Sequence, residues 1–208
     1  MDEEPRVSGK RAMNREEVRT RIEEALLEAM ASGDSARLNH DRIAEAAGVA
    51  RRTVYRYYPD RDALMQAVWD RVTSTAGPNV RFPESEAELL STLPDIYTGF
   101  DNIAPLATIV RSTPQGRAVR LAQRDRRVES YTQVAADAVK HLPEKDRLLA
   151  TAMLQFLHTS AWLELRDQWD LAGEDIAVAA GWAIRTLLRD LRARGDLPLS
   201  EDRGTGSA

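Results

Sequence analysis

HDRIAEAAGVARRTVYRYYP, residues 40–59, is the stretch whose reading decides the fold. Its apolar positions, Ile43, Ala47, Val49 and Val54, suit two short helices that cross steeply better than one continuous helix or a strand. Ala44 is small where the two helices must approach. Gly48 can take the positive φ that a tight turn between them demands. Val49 then plugs the core from inside the turn. Asn39 is placed to cap the first short helix by accepting backbone N–H groups, at a helix end that also suits a phosphate. The expectation is helix over 40–47, a turn at Gly48-Val49-Ala50, and a second helix from Arg51 to Tyr58.

On that second helix Val54 and Tyr58 fall on one side, toward the core. Arg51, Arg52, Thr53, Tyr55, Arg56 and Tyr57 are left for the outside. Across the segment Arg37, Arg42, Arg51, Arg52, Arg56 and Arg61 outnumber Asp41, Glu45 and Asp60, so the local field is positive although the chain carries a formal net charge of -4. A phosphate backbone would meet a basic face. Arginines at the start of a helix seated in the major groove can reach guanine O6 and N7 in pairs, and Arg51 and Arg52 are the candidates for that role. Tyrosines beside arginines suit contacts to phosphate and to base methyl groups. The expected partner is double-stranded DNA.

Working outward, Asn14 can cap a leading helix whose apolar positions Val18, Ile22, Ala25, Leu26 and Ala29 recur three and four apart. Ser32-Gly33-Asp34 is expected to stop it. Pro59-Asp60 breaks the chain and opens a helix over Arg61 to Ala76. Gly77-Pro78-Asn79 and Pro83 mark a linker. Beyond it, helices are expected over Ser85–Thr98 with a break at Pro94, Ala104–Ser112, Pro114–His141, Pro143–Trp169 and Glu174–Arg194. Asp101 or Asn102 and Thr113 precede helix starts, and Gly195 follows the last helix as a stop. Nothing alternates with period two, so the fold class is all-α: a three-helix helix-turn-helix domain followed by a larger helical domain. The expected divisions are a disordered arm (1–13), the DNA-binding domain (14–60), a connecting helix (61–76), a second domain (77–200) and a disordered tail (201–208).

Composition narrows the function classes. Hydrophobic residues make up 43% and charged residues 30%, a balance that supports an ordered globular chain. With no cysteine, disulfides, thiolate metal sites and cysteine nucleophiles are excluded. No apolar run approaches the roughly 20 residues needed to span a bilayer, and Met1-Asp2-Glu3-Glu4 does not open like a leader, so a cytoplasmic protein is expected. There is no HExxH, GxSxG, P-loop or dinucleotide fingerprint, and His40, His141 and His158 are scattered. No enzyme activity, cofactor or metal is expected. The alternative to a DNA-binding regulator is a helical protein-interaction module without DNA binding.

GVARRTVYRYYPDRDAL, Gly48 to Leu64, preceded by DRIAEAA, resembles the TetR family of transcriptional regulators, and the likeness extends over about Arg15 to Val72. Carried onto this sequence, the family pattern implies phosphate contacts at Asn39, Thr53, Tyr55, Tyr57 and Arg61, groove contacts from Arg51 and Arg52, and a core aromatic at Tyr58. The chain departs from the pattern at Ala50, where a serine commonly caps the recognition helix, at Asn39 in place of a common threonine, and at Arg52 in place of glycine or proline. The resemblance implies a homodimer, usually a repressor, that leaves a palindromic operator when a small-molecule effector binds the second domain. Expected pocket residues are Tyr97, Phe100, Ile109, Arg111, Met153, Phe156, His158, Trp162 and Trp182. The apolar stripe of the last helix, Ile176, Ala180, Ala183, Ile184, Leu187, Leu188 and Leu191, is expected at the dimer interface.

Overall fold

A computed structural model describes residues 5–32 and 39–201, with side chains from Arg15 onward. Residues Gly33 and Asp34 of the expected stop, the Arg37 cation and residues 202–208 of the expected tail lie outside the described residues, as do residues 1–4 of the expected arm. The elements run α1 (Pro5–Ala31), α2 (His40–Ala47), α3 (Arg51–Tyr57), α4 (Arg61–Ala76), α5 (Glu86–Ser91), α6 (Leu93–Asn102), α7 (Ala104–Ser112), α8 (Pro114–Ala122), α9 (Arg124–Val139), α10 (Glu144–Gln155), a π-helical turn (Phe156–Ser160), α11 (Trp162–Trp169) and α12 (Gly173–Arg194). No strand occurs among the described residues, and no helix among them is long and apolar enough to cross a membrane. The fold is all-α, as the periodicity predicts. Helix α1 begins at Pro5, so Asn14 lies inside the helix instead of capping it, and most of the expected arm is helical.

The chain divides into two compact units at places other than the Gly77–Pro83 linker. One unit is Met1–Val72 together with Pro105–Gln123, and the other is Thr73–Ala104 with Arg124–Ala208. In the first unit Gln123 Nε2 donates to Gln66 Oε1 at 2.5 Å, tying the end of α8 to α4. A linker signal in the sequence marks where the chain turns, not which body the later helices join. The core of this unit is built from Ile22, Leu26 and Met30 of α1, Ile43 and Ala47 of α2, Val54 of α3, and Leu64 and Val68 of α4, all buried.

Within the second unit α12 packs chiefly on α6. Gly173 makes its start possible: a Cβ there would lie 2.5 Å from the Tyr97 carbonyl oxygen. Asp101, expected to precede a helix, instead belongs to α6. Its Oδ2 accepts the Gly173 N–H at 2.6 Å and its Oδ1 accepts the Trp162 Nε1–H at 2.8 Å, so one carboxylate ties α12 and α11 to α6. The stripe expected at a dimer interface turns inward. Ile176, Ala180, Ile184, Leu188 and Leu191 are buried within this unit, and Ala183 and Leu187 are half-buried beside them. The physical reason is competition for cover: the broadest apolar face of a helix packs first on its own chain. What α12 leaves outside is a narrower face with Val178 and Trp182, 70% and 67% exposed.

Candidate nucleic-acid interface

Helices α2 and α3 are joined as the sequence requires. Gly48 adopts φ 61°, ψ 39°, the left-handed conformation that costs other residues about 1 kcal/mol or more, and its N–H closes back on the Ala44 and Glu45 carbonyls. Asn39 caps α2, its Oδ1 accepting the N–H groups of Asp41 and Arg42 at 3.0 Å each. Ala50 holds the extended N-cap conformation of α3 without a side-chain cap. Val49, the expected plug, is half-buried.

Sequence reasoning missed how α1 locks this turn. Arg21 Nη2 donates to the Ala47 carbonyl at 2.6 Å and to the Gly48 carbonyl at 3.2 Å, satisfying oxygens that a helix end leaves bare. A cation one residue from the Ile22 core position was the available signal. Behind α3, Tyr58 is buried and donates its hydroxyl to Glu23 Oε1 at 3.2 Å, while Arg19 Nε pairs with the same oxygen at 2.8 Å. Burial, with Glu23 adding to it, pushes the Tyr58 hydroxyl up to about 12, so it remains a donor.

The outward side chains of α3 divide into held and free groups. Arg51 Nε pairs with Asp41 Oδ1 at 2.7 Å. Its guanidinium carbon lies 5.4 Å from the centre of the Tyr55 ring, and that ring stacks on His40 at 4.1 Å and 9°. His40 Nε2 in turn lies 2.7 Å from the Tyr58 carbonyl oxygen. The four side chains form one ladder from the first turn of α2 to the first turn of α3. Arg42 pairs with Glu45 at 2.9 Å. Arg56 lies over the Tyr57 ring at 5.2 Å. Arg52 and Arg61 are exposed, and neither has an ion pair or hydrogen bond among the described residues.

Two expected contact residues are less open than the sequence implied. Thr53 and Tyr57 are half-buried, and the Tyr57 hydroxyl donates to the Arg15 carbonyl at 3.3 Å. That bond brings α1 against this edge of α3. Asn39, Tyr55 and Arg61 are exposed, with Asn39 engaged as the cap of α2. The positive face is therefore tighter than residue counting suggests: Asp41 and Glu45 offset Arg51 and Arg42, and Arg52, Arg56 and Arg61 dominate.

The expected pocket residues separate. Tyr97, Phe100 and Trp162 meet edge-to-face in the second unit, with centroids 6.4 Å and 5.8 Å apart, and the Tyr97 hydroxyl donates to the Leu157 carbonyl. His158 is buried in the same unit between Tyr131 and Thr92. Met153, Phe156 and Trp182 are instead on the surface, because the Leu149-Met153-Phe156 stripe of α10 and its continuation faces outward. Ile109 and Arg111 stand on α7, in the first unit.

Residues 22–68 match the family model of bacterial regulatory proteins, tetR family. No curated protein and no solved structure matches the chain.

Proposed function

We propose, from the premise that the chain is a DNA-binding transcriptional regulator with the N-terminal domain of the tetR family, that it acts as a homodimeric repressor on a palindromic operator and leaves it when a small molecule binds the second unit. The observation that carries the DNA-reading part is the outward cationic face of α3, with Arg51, Arg52 and Arg56 exposed beside the capped start of α2 and the left-handed turn at Gly48. Arg51 and Arg52 read base edges. Asn39, Thr53, Tyr55, Arg56, Tyr57 and Arg61 contact the backbone, with Thr53 and Tyr57 reaching it from the half-buried edge of the helix.

Support for the dimer comes from large apolar side chains that one chain leaves uncovered on α10, α11 and α12. Leu149, Met153 and Phe156 follow one stripe of α10 and its continuation, Val178 and Trp182 one stripe of α12, and Trp169 at the end of α11 is 73% exposed. Large exposed side chains at helical spacing are what an interface between copies requires. The outward side chains of α12, Val178 and Trp182, replace its inward stripe in the proposed dimer contact.

The effector reading rests on the interior of the second unit, where the packed rings of Tyr97, Phe100 and Trp162 and the buried imidazole of His158 are the aromatic and polar groups that an effector would have to meet. An effector favouring the DNA-free form weakens DNA binding by the factor that DNA weakens the effector.

Selection of bound duplexes from a random-sequence library tests the whole reading. The expected product is an inverted repeat with half-site centres about 34 to 36 Å apart. A library returned without enrichment at low salt would reject it.

A further inference from the structure

Asp41 is an acidic side chain on the face turned toward the proposed DNA, where a bare negative charge opposes phosphate. Its position explains why it is compatible with that face. Asp41 Oδ1 lies 2.7 Å from Arg51 Nε, and both side chains are more than half exposed, so the pair is formed at the surface and not forced by burial. The contact is to Nε. Of the two terminal amino groups of Arg51, Nη2 donates one N–H to the Tyr55 hydroxyl at 3.4 Å. The guanidinium is held on its second side by the Tyr55 ring, which is itself fixed by the stack on His40. Neighbouring Arg52 has no such support.

We infer that Asp41 is a positioning residue for base recognition: it holds Arg51 by Nε so that the Nη1 and Nη2 fork is presented to a guanine edge and kept off the phosphates. A guanidinium has five N–H donors in a fixed plane; with Nε on Asp41 and one Nη2 N–H on Tyr55, Nη1 and the second N–H of Nη2 remain for O6 and N7 of one guanine. Holding the long side chain before binding removes part of the ordering cost of that contact. The carboxylate also repels backbone phosphates, so it lowers binding to every sequence while Arg51 regains the loss only where a guanine is present. The two arginines thus differ in kind. Arg51 reads through a held fork, and Arg52 reads with an exposed side chain that no neighbour among the described residues holds. This inference rests on the DNA-reading proposal.

The test compares the wild-type chain, Asp41→Asn, Arg51→Ala and the double variant on the same random duplex library and on the selected site. Asp41→Asn keeps a polar side chain in the first turn of α2 and removes the charge. It is expected to bind random duplex more tightly, to steepen the salt dependence by about one unit as Arg51 turns to phosphate, and to lose at least about fivefold in discrimination at the one base pair per half-site that Arg51→Ala also relaxes. Asp41→Glu restores part of the preference. In the Arg51→Ala background Asp41→Asn leaves base preference unchanged, a result that a general weakening of α2 would not give. Equal thermal midpoints for the wild type and Asp41→Asn exclude unfolding as the cause. An unchanged base profile in Asp41→Asn overturns the inference while leaving DNA reading intact, and so does a changed profile that persists without Arg51. If the wild-type chain itself enriches no site, the DNA-reading premise fails and the inference falls with it.

Discussion

At the scale of single residues, the second unit contains a buried histidine whose protonation state follows from its neighbours. The Thr92 hydroxyl donates to the Glu88 carbonyl at 2.6 Å, so toward His158 Nε2, 3.1 Å away, it can only accept. Nε2 therefore carries the ring proton, and Nδ1 accepts the Tyr131 hydroxyl at 2.6 Å. The neutral ring is satisfied on both sides. Burial pushes His158 down to about 4, only partly offset by Glu88. An unfolded chain holds its histidines near pKa 6.5. Between about pH 6.5 and 4 the unfolded state binds a proton that the folded state refuses, so stability is complete above pH 6.5 and falls by roughly 3 kcal/mol as the pH drops through that window. The urea midpoint of the wild type should decline across it. His158→Gln keeps a donor and an acceptor but cannot titrate, so its decline should be shallower. Equal declines in the two proteins would refute the assignment.

At the scale of elements, the helix-turn-helix was legible because its constraints are local. A glycine at the turn, Asn39 before α2 and the Val54–Tyr58 spacing each act within a few residues, and each is found where expected: Gly48 at φ 61°, Asn39 as a double acceptor, Val54 and Tyr58 buried. Helix α12 shows where such reading stops. Its apolar period was correct, but a period identifies a face and not the body that covers it, and the wider face packs on α6. Splitting of the long segments was equally hidden: the expected helix over residues 114–141 divides into α8 and α9 at Gln123, a buried side chain bonded to Gln66 across 57 positions of sequence. The start of α3 allows a prediction from local chemistry. Ala50 has φ -69° and ψ 141°, the geometry of a capping residue, yet offers no side-chain acceptor, and the first turn of α3 contains no acid. Ala50→Ser should add a hydroxyl acceptor for the N–H groups of the first turn, where the Thr53 N–H already meets the Ala50 carbonyl at 2.7 Å, and raise stability by about 0.5 to 1 kcal/mol. A thermal midpoint unchanged or lowered by the substitution would show that the bare N-cap is not a weakness of α3.

At the scale of the whole molecule, the proposed function requires two copies, since one α3 reads one half-site and a two-fold axis supplies the second. The two faces of α12 make separable demands on that assembly. Ile184, fully buried on the inner face, belongs to the fold of one chain, and Ile184→Ala should cost about 2 to 5 kcal/mol in unfolding free energy. Trp182 lies on the outer face with Val178, where a charge can be accommodated by solvent in a lone chain but not between two apolar surfaces. Trp182→Glu should therefore leave the helical content of the chain intact and halve the sedimenting mass from that of a pair of 23.3 kDa chains. In the wild type, the melting midpoint should rise with protein concentration, because association stabilises the folded form by mass action; in Trp182→Glu that dependence should vanish. On DNA the variant should retain weak binding to a single half-site and lose the added affinity of the inverted repeat, a loss that Arg52→Ala would not reproduce because it alters one base contact in each copy. A wild-type chain that sediments as a single copy at working concentrations, or a Trp182→Glu variant that still pairs, would remove this face as the site of assembly.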